Sequence, residues 1–399
     1  MSSWTIVTLS EVLADVKPGF ACGDDLDAGV FQFRMNNVTA DGRLDLTKRR
    51  RICSDLPNIE KYRLQVGDIL FNATNSVDLV GKAAYFPGLE EPAVFSNHFL
   101  RLRPAPRRLD GRYLARWLNL QFQQGAFEGM CRKWVNQATV NRDALLAMHL
   151  PLPPPSEQRR IAEILDKADA LRARRRAALT QIGALTQSIF LEMFGDPATN
   201  SDKWSVQPFI RLLAAPLRNG LSPSKGGRIT AKVLTLSAIT GKAFDPQSVK
   251  TGTFQTLPPP EQSVDDHDLL ICRGNGNLHL VGKGYFPSRR MPDVTFPDTM
   301  IAARVDREFT EPVFLEHVWN SPLVRRQLES AARTTNGTLK VNQSIVEGLL
   351  VFSPPLRMQR EFGNRIAQVH KVRAKHCNAL FTADALFASL QHRAFSGEL

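Results

Sequence analysis

Apolar residues recur at alternating spacings of three and four along two long stretches of the chain. The first stripe runs Ile161, Ile164, Ala168, Leu171, Ala178, Ile182, Leu185 and Ile189, with Arg175 its polar member. The second keeps the same register at Phe362, Val369, Val372, Ala379, Ala383, Leu386 and Leu390; Ile366 takes the apolar role missing at Arg365, and His376 stands where the first has Arg175. Each stripe predicts an amphipathic helix. About 30 residues at 1.5 Å per residue make a rod of about 45 Å, too long for one small domain to cover. The two helices are therefore expected to pack on each other, with the larger members of both stripes and Ala168 as the core of a coiled coil. The punctuation agrees. Pro153-Pro154-Pro155 cannot be helical, Ser156 offers an N-cap and Glu157 an acidic first turn, while Phe194-Gly195-Asp196-Pro197 supplies a stop.

Outside the stripes the pattern changes to short apolar runs broken by Gly, Asn, Asp and Pro, which read as strands. Asp68-Ile69-Leu70-Phe71 and Asp268-Leu269-Leu270-Ile271 are one such pair. Helical segments are expected from Tyr113 to Phe122 and from Pro312 to Ala331. Much of this text occurs twice. Leu79-Val80-Gly81-Lys82 with Tyr85-Phe86-Pro87 returns as Leu280-Val281-Gly282-Lys283 with Tyr285-Phe286-Pro287. Val135-Asn136-Gln137 returns as Val341-Asn342-Gln343, and Pro153-Pro154 with Gln158-Arg159 returns as Pro354-Pro355 with Gln359-Arg360, a shift of 201 residues. Trp4-Thr5-Ile6-Val7 and Trp204-Ser205-Val206-Gln207 open the two copies. The reading is an α+β fold used twice in a pseudo-twofold arrangement, with the helices antiparallel if the axis is perpendicular to them. Boundaries fall at residues 1–150, 151–198, 199–352 and 353–399. Duplex DNA is the partner such an object matches best.

Charge supports a polyanionic partner: the 399 residues carry a formal net charge of +12. Five scattered cysteines with no Cys-x-x-Cys pair argue against a disulfide framework or structural zinc, and a reducing cytoplasm is expected. Neither a secretory leader nor a membrane span is expected. Catalytic signatures are also missing. An adenine methyltransferase needs a glycine loop and an Asn/Asp-Pro-Pro-aromatic site, whereas Ser353-Pro354-Pro355-Leu356 lacks the aromatic and prefaces a helix. There is no phosphate-binding Gly-x-x-x-x-Gly-Lys loop. Pro292-Asp293 and Pro297-Asp298 lack the following acidic-x-Lys of a metal nuclease, and Asp265-Asp266-His267-Asp268 reads as a turn opening a strand. No catalytic or metal-ligating residue is expected.

Binding candidates remain. Asn72, Asn75 and Ser76 of the first copy and Arg273, Asn275 and Asn277 of the second follow equivalent strands; their amides suit adenine edges and the Arg273 fork suits guanine or phosphate. Ordinary polar turns would look the same. A second surface comprises Lys133, Asn136 and Gln137, matched by Asn336, Lys340, Asn342 and Gln343, with lysines placed for phosphates. The shared Asn-Gln reads equally well as a cap on the next helix. Lys82 and Lys283 of the Val-Gly-Lys element complete the phosphate candidates, while Arg172, Arg174, Arg175 and Arg176 touch DNA or form a solvated helix face.

Two variable domains of about 150 residues, each followed by Pro-Pro, Gln-Arg and a long helix, resemble the specificity subunits of type I restriction-modification systems. The strongest piece is the run from Leu150 to Leu165, and the second copy departs from it with Arg357-Met358 and no Phe-Gly-Asp-Pro ending. The resemblance implies two target-recognition domains, each reading one half of a bipartite asymmetric DNA site without catalysis. It implies helices that set the spacing and dock two modification subunits, with restriction subunits joining them. It also implies no cofactor in this chain, S-adenosylmethionine, ATP and magnesium residing on the partners. A self-contained nuclease and a scaffold whose basic charge is incidental are the alternatives.

Overall fold

The computed structural model describes residues 4–133, 135, 137–199, 204–224, 226–331, 333–335 and 338–399. The chain divides into two compact units, Met1–Ala177 with Asn378–Leu399, and Ala178–Cys377. Each unit therefore holds one domain and a portion of both long helices.

The first unit is built on a four-stranded antiparallel sheet in the order Leu13–Pro18, Phe99–Pro104, Ile69–Asn72, Ala83–Tyr85. Ile69, Phe71, Leu100 and Leu102 of this sheet bury one face against the helix Gly111–Gln123, which contributes Tyr113, Leu114, Trp117 and Leu118. Leu70 and Phe99 face a second small sheet, where Val30–Phe33 runs parallel to Ala93–Phe95. A third sheet joins Thr74–Asn75 to the hairpin Cys131–Lys133 and Ala138–Val140. The strand Thr5–Thr8 pairs with His149–Leu152.

The second unit repeats this plan. Arg218–Asn219, Met300–Arg304, Asp268–Cys272 and Gly284–Tyr285 form its main sheet in the same order; Ile229–Leu234 runs parallel to Met291–Thr295; Gly274–Asn275 joins Thr338–Lys340 and Arg333–Thr335. The helical segment expected from Pro312 to Ala331 is two helices, Pro312–Trp319 and Pro322–Ala331, because Pro322 cannot donate to the preceding turn but suits the start of a new one.

The residues shared by the two copies hold the frame. Gly81 and Gly282 have φ of 94° and 77°, a region open to glycine, and a side chain on either would collide with Phe127 or Leu328. Their N–H groups donate to Asn72 and Cys272 carbonyls at 2.8 and 2.7 Å, closing the turn after each central strand. Asp68 accepts a two-pronged bond from Arg103 (2.7 and 2.8 Å), and buried Asp268 accepts the same from Arg304 (2.8 and 3.1 Å). Gln158 and Gln359 are fully buried. Gln158 Oε1 accepts the Asp110 N–H at 2.7 Å and its Nε2 donates to the Pro153 and Arg108 carbonyls; Gln359 Oε1 accepts Thr310 Oγ1 and the Glu311 N–H, and its Nε2 donates to the Pro354 carbonyl. The Gln of each Gln-Arg pair thus ties a long helix to the capping residue of its domain's helix.

The long helices are Pro155–Phe194 and Leu356–Ser396; the first starts at Pro155, ahead of the expected Ser156 cap, because proline is suited to the first helical position. Within the first unit they run antiparallel, since Arg160 donates to the Leu399 carbonyl while Arg172 pairs with Asp384 at 2.6 Å. In the second unit Phe190 packs on Phe362 and Arg365 lies 3.4 Å from Glu192. The expected core needs correction. Ile161, Ile182 and Phe362 are buried and Ile164, Ala168, Val369 and Leu390 half-buried, but Leu171, Leu185, Val372 and Leu386 are 47%, 43%, 46% and 54% exposed. The helix faces follow their domains instead. Ile161, Ala162 and Leu165 join the first unit's core, and Phe190 and Phe194 join Phe314, Phe352 and Phe362 in the second. Polar groups fill part of the helix pair of the first unit, where Asp169 and Gln391 are buried and the Arg172 guanidinium stacks 4.2 Å above the Phe387 ring. Such a seam is not an uninterrupted apolar zipper.

Candidate nucleic-acid interface

The two candidate surfaces of each copy, separate in sequence, form one three-stranded element. Thr74 and Asn75 pair with Thr139 and Ala138, so the turn after the central strand and the hairpin after the domain helix share a ladder. In the second unit Gly274 and Asn275 pair with Lys340 and Leu339. The Val140 N–H donates to the Ala73 carbonyl and the Val341 N–H to the Arg273 carbonyl, both at 2.9 Å.

This frame corrects the repeat alignment. The counterpart of Val341-Asn342 is Val140-Asn141, five residues beyond the Val135-Asn136-Gln137 that the letters suggested. Val140 and Val341 are both buried, and Asn141 and Asn342 each cap a short helix, Arg142–Leu146 and Gln343–Gly348. Asn342 Oδ1 accepts the Ile345 N–H at 2.8 Å, so its side chain serves the cap. Gln343 donates to the Leu217 carbonyl at 3.1 Å.

Several other candidates turn inward. Asn72 is fully buried; its Nδ2 donates to the Thr74 and His98 carbonyls and its Oδ1 accepts from Asn75 at 2.6 Å. Asn75 is buried as well, leaving Ser76 as the exposed member of that turn. Lys82 is buried, donates to the Met35 and Val38 carbonyls, and is held below the usual lysine range by desolvation. Half-buried Lys283 donates to the Thr240 and Gly241 carbonyls at 3.2 and 3.0 Å. These lysines stitch the central strand to the short helical turns Met35–Asn37 and Leu236–Ile239 rather than face a phosphate.

What faces outward differs between the copies. In the first unit Arg132, Lys133 and Gln137 are exposed, and Val135 at the hairpin tip is 98% exposed. In the second, Lys340 and Asn277 are exposed, Asn275 is half-buried with Oδ1 accepting the Asn277 N–H, and half-buried Arg273 donates to the Asp298 carbonyl at 3.2 Å. Asn136 and Asn336 lie outside the described residues. Tertiary structure adds groups that the sequence reading passed over. His98 accepts the Thr74 N–H through its carbonyl, and its imidazole is held below its usual range by burial and by Arg34. Arg34, Asn36 and Asn97 stand exposed on the segments flanking it. The arrangement can place cations and neutral amides against an anionic polymer. The one grouping of three ligand-type side chains among the described residues, Asp265, Asp266 and His267, lies elsewhere, with Asp265 already 3.2 Å from Arg304.

A family model for the type I restriction modification DNA specificity domain matches residues 1–181. The chain is 25% identical over 385 residues to the EcoKI type I restriction enzyme specificity subunit of Escherichia coli K12, covering 92% of this chain and 82% of that one. Identity to the StySPI specificity subunit of Salmonella potsdam is 24%, over 92% and 81% of the two chains. A Methanocaldococcus jannaschii protein named as the MjaX specificity subunit is 31% identical over 170 residues, which span 42% of this chain and 40% of that protein. Two solved structures share the fold along nearly the whole length. The S subunit of a type I restriction-modification system from M. genitalium matches with a TM-score of 0.59 at 13% identity, over 98% of this chain and 96% of that one. A chain from a study of type I complex assembly and conformational transition matches with 0.59 at 16%, over 100% and 99%. The twice-built domain, its paired helices and these likenesses agree: residues 1–181 match the type I restriction modification DNA specificity domain, and nearly the whole chain is similar to specificity subunits of type I restriction-modification systems.

Proposed function

We propose that this chain is the non-catalytic DNA-recognition subunit of a type I restriction-modification complex, each domain reading one half of a bipartite, asymmetric site. One observation carries the reading. The same three-stranded element is built twice on a shared frame of Val-Gly-Lys, Asp-Arg and buried Gln, while its outward residues differ: Ser76, Arg132, Lys133 and Gln137 in one copy, Arg273, Asn277 and Lys340 in the other. A frame used twice with unlike surfaces suits two unlike half-sites. The exposed cations position the phosphate backbone, and the divergent amides and Arg273 supply discrimination. In this reading the long helices set the half-site spacing and dock two modification subunits, and restriction subunits complete the complex. S-adenosylmethionine, ATP and magnesium act on those partners.

Genome-wide mapping of methylated adenines in cells with and without this chain tests the proposal. A bipartite motif that appears only with the chain is the expected result, and exchanging residues 199–352 for those of another specificity subunit should change one half of it. Metal-dependent cleavage of DNA by the isolated chain would instead favour a nuclease.

A further inference from the structure

The first unit contains a closed ion network that the second unit has lost on one side only. Arg43 binds Asp169 at 2.9 Å, Arg116 bridges Asp166 and Asp169 at 2.8 and 3.2 Å, and Arg172 joins Asp169 to Asp384 at 3.2 and 2.6 Å. Helix positions correspond between the copies at the shift that takes Gln158 to Gln359, and Arg43 and Lys242 both follow the glycine of equivalent turns. Two of the three basic members persist: Arg43 and Arg172 correspond to Lys242 and Arg373, while Arg116 corresponds to His317, which burial keeps neutral. The acids do not. Asp166, Asp169 and Asp384 correspond to Ala367, His370 and Gly183.

At this place lies an open groove of about 660 Å³ with exposed Lys242, His370 and Arg373 at its rim and His317, Glu316 and Ser321 in its wall. Among the described residues none of Lys242, His370 and Arg373 has an ion-pair partner, and the Ser321 hydroxyl, 5% exposed, lacks a hydrogen-bond partner. Glu316 does not replace the lost acids. Its Oε2 accepts the Phe286 N–H at 2.8 Å, and burial pushes its carboxyl up to about 7 with no cation drawing it down. Two unpaired cations, Lys242 and Arg373, beside an orphaned buried hydroxyl favour an anion that arrives from outside.

We propose that this groove is a carboxylate socket, filled by an acidic side chain of the modification subunit when the complex assembles. The inference rests on the functional reading above for the identity of the partner. The occupant is assigned to a protein carboxylate because the internal copy shows the same basic positions holding protein aspartates. One half of the molecule would thus satisfy in cis what the other satisfies in trans.

The test titrates the full-length chain with the modification subunit of the same system, and follows thermal melting of each variant in parallel. Arg373→Gln should weaken assembly about tenfold or more with the melting temperature unchanged. His370→Asp restores a carboxylate in cis, and should raise the melting temperature by about 2–4 °C while weakening assembly to a similar degree. Arg357→Gln, which removes an exposed charge from the same helix, should do neither. Assembly by both socket variants at wild-type affinity overturns the inference, as does an equal loss in Arg357→Gln. Saturable stabilisation by inorganic phosphate that Arg373→Gln abolishes, with assembly unaffected, shows a free anion as occupant and overturns the assignment to a partner. A wild-type chain that binds no modification subunit removes the functional reading, and the inference falls with it.

Discussion

Asp68 illustrates how much one buried side chain controls. Its carboxylate is 1% exposed and takes both prongs of Arg103, so Asp68→Asn would leave a guanidinium facing a neutral amide inside the sheet. Breaking a buried pair from one side costs about 3 kcal/mol or more, and a urea midpoint lowered to match is the expected outcome. Gln158 is neutral yet comparably placed. Gln158→Ala would strip the Asp110 N–H and two carbonyls of their partner, a loss of about 2 kcal/mol or more in the same measurement. Titration is more subtle at Glu316 and His317, adjacent residues that burial shifts in opposite senses, to about 7 and about 4. Folded Glu316 holds a proton that the unfolded chain releases above about 4.5, so its contribution falls as pH rises through that range. Folded His317 lacks a proton that the unfolded chain binds below about 6.5, so its contribution rises over the same range. The two slopes oppose each other between pH 4.5 and 6.5. Glu316→Gln removes the falling one, and stability of the variant should rise more steeply with pH there; a slope equal to wild type would show that Glu316 titrates normally.

At the scale of elements, the long helices and their pairing read correctly, while Leu171, Leu185, Val372 and Leu386, expected in the core between them, are about half exposed. Heptad spacing identifies which residues share a helix face, but a helix that meets both a domain and another helix has two faces to bury. Leu165 lies in the first unit's core while Leu171 is nearly half exposed. Leu165→Ala should therefore cost about 2–5 kcal/mol, whereas Leu171→Asp should change stability by about 0.5 kcal/mol or less. Equal costs in chemical denaturation would restore the coiled-coil core. The hairpins show the complementary case. Their strands are too short and polar to carry a periodic signal, and the ladder joining them to the turn after the central strand is a non-local pairing that no local pattern announces.

For the whole molecule, DNA binding is the property that matters. Exposed Arg132, Lys133 and Lys340 make the case for phosphate contacts; buried Lys82 and half-buried Lys283, both bonded to backbone carbonyls, do not. Lys133→Ala should lower affinity uniformly across sequences and reduce the salt slope by about 1, as read from binding at several salt concentrations. Arg273→Ala should relax specificity in one half of the site only, and equal weakening on all sequences would remove its base-reading role.

The duplication, the α+β character of each copy, the two helices and the family resemblance were legible in the linear chain. These rest on local periodicity, on proline and glycine punctuation and on repeated text, all of which a linear chain displays. Only tertiary structure decided which repeated residues are frame. Lys82 and a base-contacting lysine are the same letter; burial against the Met35 and Val38 carbonyls distinguishes them. It also moved the repeated asparagine from Asn136 to Asn141, because capping a helix is a position in space rather than a string. The unequal halves became visible the same way: aspartates absent from the second copy are mere substitutions in the sequence, and leave unpaired Lys242 and Arg373 beside one groove once the fold brings them together.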